Sequence, residues 1–265
     1  MTTNFSFSRL GRLITKQWVE NARLYLFSSL ALLGMMGLVF LFWINNNRFL
    51  AEDTAYIIFL VGLYITGAVF ASMAFGMMGE KPKASYWLSF PASHLEKLIS
   101  VIFYTTIVFV VVYCACFLIV KSLADVYIYS LIEKFPDKYQ YRRVDLSGGF
   151  GRVFWPSVYG FFAVQAFYLL GSVYFSRYSF VITTVIGTVL VFLYFYYIAS
   201  LTDGLIHPPY AWQGFRVAVY DSATPTYKSY ELSPVITEPL TFIFKYGWAP
   251  LFWVVTWFRL KEKQV

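Results

Sequence analysis

Charge is the first shortage. Of 265 residues only 13% are Asp, Glu, Lys or Arg, while 59% are hydrophobic and 22% aromatic. Soluble domains carry about 25% charged and about 45–50% apolar residues, so this composition excludes a water-exposed surface over most of the chain. The aromatic content excludes disorder as well. Cysteine is nearly absent. Cys114 and Cys116 sit one residue apart and point about 200° apart on a helix, so they form no ready bridge and read as small core residues. Histidine is scarce too. His94 and His207 fall outside the apolar runs on opposite expected sides, with His94 expected in solvent, which excludes a metal site shared by the two. No HExxH, paired-cysteine, GxSxG or GxxxxGK[ST] motif occurs. No enzyme, nucleotide-binding or cofactor function is therefore expected of this chain.

What is present is apolar length. A helix needs about 20 apolar residues to cross the hydrocarbon. Leu24–Ile44, Thr54–Met78, Leu98–Val120, Val153–Phe175 and Tyr178–Thr202 all meet that length with no Asp, Glu, Lys, Arg or His. A sixth run, Pro239–Phe258, contains Lys245 and Pro250, and Lys245 lies near one end, where its stem can snorkel to the interface. The reading is an all-α integral membrane protein of six spans and a single transmembrane domain over 1–265. The first span follows a polar lead and lacks a small-residue cleavage site, so it is expected to be retained.

Orientation follows Lys and Arg near the span ends. With the N-terminus inside, the inner segments hold 11 of these residues in 51 positions, and the outer segments, with the last counted through Lys245 at 203–245, hold 10 in 84. Both termini are therefore expected in the cytoplasm. Net charge +7 then bears on topology and anionic lipid, not on nucleic acid.

The connecting segments carry further signals. Residues 5–23 form an amphipathic pattern. Arg9, Arg12, Lys16, Glu20 and Arg23 fall within an arc of about 80° at 100° per residue, opposite Phe7, Leu10, Ile14, Trp18 and Ala22. Such a helix is expected to lie flat as an elbow, with Leu10, Ile14 and Trp18 in the membrane interface. The inner segment 79–97 holds a short aromatic element, Ala84–Phe90, bracketed by Pro82 and Pro91. Ser93-His94-Leu95-Glu96 then has capping-box spacing, so Ser93 is expected to start the third helix. The apolar patch Tyr86, Trp87, Leu88 and Phe90 either packs beneath the elbow or docks on a protein partner. Of the outer segments, 121–152 suggests an interfacial helix followed by a Ser147-Gly148-Gly149 turn. Segment 203–238 holds two β-like runs, Phe215–Tyr220 and Thr226–Leu232, expected to pair as a small extracytoplasmic hairpin around Asp221–Pro225.

The stretch Glu80-Lys81-Pro82-Lys83 … Trp87-Leu88-Ser89-Phe90-Pro91-Ala92-Ser93-His94-Leu95-Glu96-Lys97, with an elbow and six spans, resembles ABC type-2 exporter permeases, chiefly bacterial ones. The resemblance covers the chain by topology and about 18 residues by motif. It implies an ATP-driven exporter subunit in the bacterial inner membrane, working as a homo- or heterodimer of permease subunits with a separate cytosolic ATP-binding-cassette ATPase. It also implies that 79–97 is the coupling segment. Tyr86, Trp87, Leu88 and Phe90 would then contact the ATPase, with Glu96 and Lys97 as solvated rim charges. The spans hold no ionisable group of the kind ion-driven carriers use, which agrees with an external energy source. The alternative is a non-transporting scaffold or sensor subunit whose outer segments bind a ligand.

Overall fold

The computed structural model describes residues 5–76, 90–175, 177–205, 210–213, 216–221, 226–231 and 233–262. In hydrocarbon the backbone must satisfy its own hydrogen bonds, so long apolar runs become helices. Among the described residues five helical tracts are long and apolar enough to cross a membrane: Phe7–Asn46, Glu52–Met73, His94–Lys134, Gly151–Tyr174 and Ser179–Ser200. This is the architecture of a multi-pass, all-α membrane protein.

The first of them, α1 (Phe7–Asn46), is one unbroken helix of 40 residues. The expected boundary between an elbow ending at 23 and a span beginning at 24 is absent. The sequence there changes from charged to apolar, yet it contains no proline, and a change of polarity does not interrupt the i→i−4 ladder. At 1.5 Å per residue α1 runs about 60 Å, roughly twice the hydrocarbon thickness.

After β1 (Phe49–Ala51), α2 (Glu52–Met73) opens with Glu52 and Asp53, whose carboxylates suit the positive end of its dipole. The third tract has three parts. α3 (His94–Ile102) passes through a π-turn (Phe103–Val108) into α4 (Phe109–Lys134). It takes up the first part of segment 121–152, so no separate interfacial helix forms there. Next, β2 (Gln140–Arg142) pairs in parallel with β1, Leu50 opposite Tyr141. The Ser147-Gly148 turn is present, closed by Gly148 N donating to Asp145 O at 3.3 Å. α5 (Gly151–Tyr174) follows, then α6 (Ser179–Leu205).

The chain divides into two units, residues 1–180 with 249–265 and residues 181–248. In the first, neighbouring contacts fix the helix directions. α1 and the α3–α4 tract run parallel: Ser6 meets Glu96, Ile14 meets Tyr104 and Phe40 meets Phe117. α2 and α5 run the other way, with Phe59 beside Tyr113 and Phe117 and with Tyr64 beside Ser157. At one end Phe75, Leu98, Val173 and Leu260 form a buried cluster. Leu260 belongs to α8 (Trp248–Glu262), whose Phe252 lies 5.4 Å from Phe167 and whose Arg259 sits over the Tyr174 ring. At the other end lie Glu52 and Lys121.

The second unit contains most of α6 and a three-stranded antiparallel sheet of order β3 (Tyr210–Gln213), β4 (Arg216–Asp221) and β5 (Thr226–Glu231). The two β-like runs pair as expected, Tyr220 opposite Tyr227. The turn between them lies outside the described residues. α7 (Pro234–Phe242) and a second π-turn (Ile243–Gly247) lead on toward α8, so this tract starts before the expected Pro239.

Lipid is as apolar as leucine, so packing in such a bundle rests on close fit and internal hydrogen bonds. Tyr113 is fully buried and its hydroxyl donates to Phe59 O at 2.8 Å. Gly62 leaves room for that hydroxyl, and a Cβ there would overlap it. Gly62→Ala is expected to displace Tyr113 and lower stability by ~1–3 kcal/mol, read as a drop in melting temperature in detergent. Gly34→Ala, whose Cβ meets open space, is the control and should stay within ~0.5 kcal/mol.

Candidate coupling junction

The end of segment 79–97 meets α1 and α3 at one carboxylate. Ser93, in extended conformation, is the N-cap of α3. Its hydroxyl accepts from Glu96 N at 3.2 Å, and Glu96 Oε2 accepts from Ser93 N at 2.8 Å. The expected capping box is therefore present. The other oxygen, Glu96 Oε1, accepts from Ser6 N at 2.6 Å and lies 3.2 Å from Arg9 Nη2. Glu96 is 0% exposed, while the Arg9 side chain is 30% exposed. Two backbone N–H groups and a guanidinium thus converge on one buried anion, whose charge their hydrogen bonds stabilise. The contact continues up the two helices. Ser100 Oγ donates to Gln17 Oε1 at 3.1 Å, and Tyr104 donates to Ile14 O at 2.6 Å.

The residues singled out from the sequence fall into three groups. Tyr86, Trp87 and Leu88 lie outside the described residues. Phe90 is described, and Lys16 Nζ sits 3.2 Å above its ring, so this end of the aromatic element packs beneath α1. Glu96 and Lys97 are not solvated rim charges: both are buried, at 0% and 3% exposure. For Glu96 the reason is that α1 extends past the apolar run and brings Ser6 and Arg9 over it. Leu10 and Ile14 are half-buried, whereas Trp18 is 50% exposed. His94, expected in solvent, is half-buried, with Nδ1 buried and unpartnered among the described residues.

A second polar cluster closes the opposite end of the first unit. Lys121 Nζ lies 2.9 Å from both Glu52 and Asp125. Tyr141 donates to Asp125 Oδ1 at 3.3 Å, and Val144 N donates to Glu52 Oε2 at 3.1 Å. Burial, with the Asp125 and Glu52 carboxylates beside it, pushes the Tyr141 hydroxyl above its ordinary range. In the following turn, hydrogen bonds from the Ser147 hydroxyl and N–H hold the Asp145 carboxyl below its usual range. A third polar contact lies within the bundle, where Gln165 Nε2 donates to Thr105 O. Among the described residues no group of His, Cys, Asp and Glu could hold a metal. Cys114 and Cys116 are free thiols.

Sequence reasoning missed Ser6, Arg9, Gln17, Ser100 and Tyr104 as partners, because their contacts are long-range. It also passed over Gln165, because only ionisable groups were sought within the spans. The Lys121–Asp125 spacing of four was a signal that could have been read.

Arg9→Ala should leave the Glu96 carboxylate held by backbone donors alone. The expected loss is about 2 kcal/mol, below the range for fully buried pairs because Arg9 is partly exposed. Arg9→Lys should recover only part of it, since an ammonium cannot reproduce the fork. Thermal unfolding of the three proteins in detergent checks both statements.

No family model matches the chain, and no curated protein and no solved structure shows detectable similarity to it.

Proposed function

We propose that this chain is the membrane-spanning subunit of an ATP-driven exporter, energised by a separate cytosolic ATP-binding-cassette ATPase that acts on segment 79–97. The observation that carries the reading is the Glu96 junction. Ser93, at the foot of that segment, and both Ser6 and Arg9 of the α1 start share one buried carboxylate. A push delivered to the segment therefore moves α1 and α3 together.

Helix directions support a six-span topology with both termini on one side. α1 begins at the Glu96 end. α5 runs toward that end, α6 starts there with Phe180 stacked on Tyr168, and α8 returns to it at Leu260. The start of α1 and the end of α8 thus lie at one end of the first unit, which suits an even number of crossings. The density of Lys and Arg favours this end as cytoplasmic, in a bacterial inner membrane. The ATPase would work with two such permease subunits, as the resemblance implies.

Orientation is tested first. Single cysteines at Ser85 and Ser222, in a background lacking Cys114 and Cys116, are probed in intact cells with an impermeant thiol reagent. Labelling at 222 and none at 85 is expected, and the reverse overturns the orientation. Coupling is tested by purifying the chain from native membranes. An ATP-binding-cassette ATPase should copurify, with ATP hydrolysis stimulated by the permease. Trp87→Ala with Leu88→Ala should abolish both while insertion persists, since truncating an interface anchor costs about 2 kcal/mol or more. A well-folded double variant that retains full stimulation contradicts coupling through this segment.

A further inference from the structure

The π-turn Phe103–Val108 divides the third helical tract into two halves with separate attachments. The α3 half and the start of the turn are tied to α1 through Glu96 with Ser6 and Arg9, through Ser100 with Gln17 and through Tyr104 with Ile14. The α4 half is tied to α1 again at Cys116, whose Sγ lies 4.0 Å from Ser29 O, and to α2 through Tyr113 with Phe59 and Lys121 with Glu52.

Helical geometry explains why a π-turn lies between them. From Tyr104 to Cys116 an α-helix turns through about 1,200°, about 120° past three full turns. The extra residue in a π-turn removes about 100° of that. Tyr104 and Cys116 then face α1 together, as their contacts require. With the turn rewound as α-helix, one half must rotate by about 100° against the other and lose one of its two sets of contacts. The register seen here and the fully α-helical one thus differ by a single bulge.

One side chain from another helix grips this turn. Gln165, on α5, is 2% exposed and donates from Nε2 to the carbonyl of Thr105 inside the turn. Its Oε1 is buried and has no partner among the described residues. Tyr104, Thr105 and Thr106 are buried around the same point.

We propose that the π-turn is a rotational switch between the two halves of the third helix, held in its present register by Gln165 as a positioning residue. The inference deepens the exporter reading and rests on it only for what the rotation serves: transmission from the coupling segment to the far end of the bundle.

The test is electron paramagnetic resonance on the full chain in lipid nanodiscs, with Cys114 replaced by alanine and Cys116 by serine, which keeps a donor for Ser29 O. One spin-label pair, at Arg12 and Leu95, reports α1 against α3. A second pair, at Leu30 and Leu118, reports α1 against α4. All four positions are exposed. The parent protein should give one distance for each pair. Gln165→Met keeps the length and apolar volume but donates nothing. It should add a second population to one pair only, displaced by about 8 Å for a 100° rotation on a helix of this radius. Gln165→Glu, neutral at this depth, can still donate from its acid proton and should restore the single distance. Should the Met variant not accumulate, Gln165→Asn, one methylene too short, carries the same forecast. Unchanged distances in these variants, or equal broadening of both pairs, overturns the proposal. The measurement needs no ATPase and no cargo. Its failure removes the switch alone, and the lack of an ATPase partner removes the exporter reading alone.

Discussion

A carboxylate shielded from solvent beside a membrane must be met by donors, and Glu96 is met by three. Two are backbone N–H groups at the starts of helices and the third is the Arg9 guanidinium. Removing water leaves the anion dependent on those groups. Their positions are thereby fixed relative to it: the N-cap of the third helix, the start of the first helix, and the end of the segment that joins the second helix to the third. Lys16 over Phe90 adds to the same joint. The upper contacts, Ser100 with Gln17 and Tyr104 with Ile14, continue along a line that this anchor sets.

The rest of the first unit follows from that line. With α1 and the α3–α4 tract parallel, α2 and α5 fill the remaining directions. Tight aromatic contacts such as Phe59 with Phe117 at 4.7 Å supply the fit that lipid alone does not. The far end is closed by a second ionic cluster around Lys121 and by the β1–β2 pairing. The two polar joints sit at opposite ends of one tract, and the π-turn lies between them.

Local chemistry was legible in the sequence, and long-range chemistry was not. Five of the six apolar runs fall in helices long and apolar enough to cross a membrane, because length and lack of charge suffice in hydrocarbon; Pro239–Phe258, with Lys245 and Pro250, is not among them. The Ser93–Glu96 box and the β4–β5 pairing depend only on short spacings, and both are present. The burial of Glu96 could not be read, since its partners stand 87 and 90 residues away. Nor could the continuity of α1, where a change from charged to apolar sequence resembled a break that the backbone does not make. The π-turn has no residue signature in Phe103–Val108; it is demanded by the register with α1. Gln165 was in plain view within the fourth apolar run, but as a neutral side chain it carries no charge to draw notice.

The start of α1 and the foot of the third helix form one mechanical body through Glu96. Hydrogen–deuterium exchange, comparing the parent chain with Glu96→Gln in nanodiscs, tests it most directly. The carboxamide keeps the size but loses the charge and one acceptor. Amides of residues 7–17 and 94–102 should lose protection together, while those around Glu52 and Lys121 keep theirs. Loss confined to 94–97, with residues 7–17 unchanged, would contradict it.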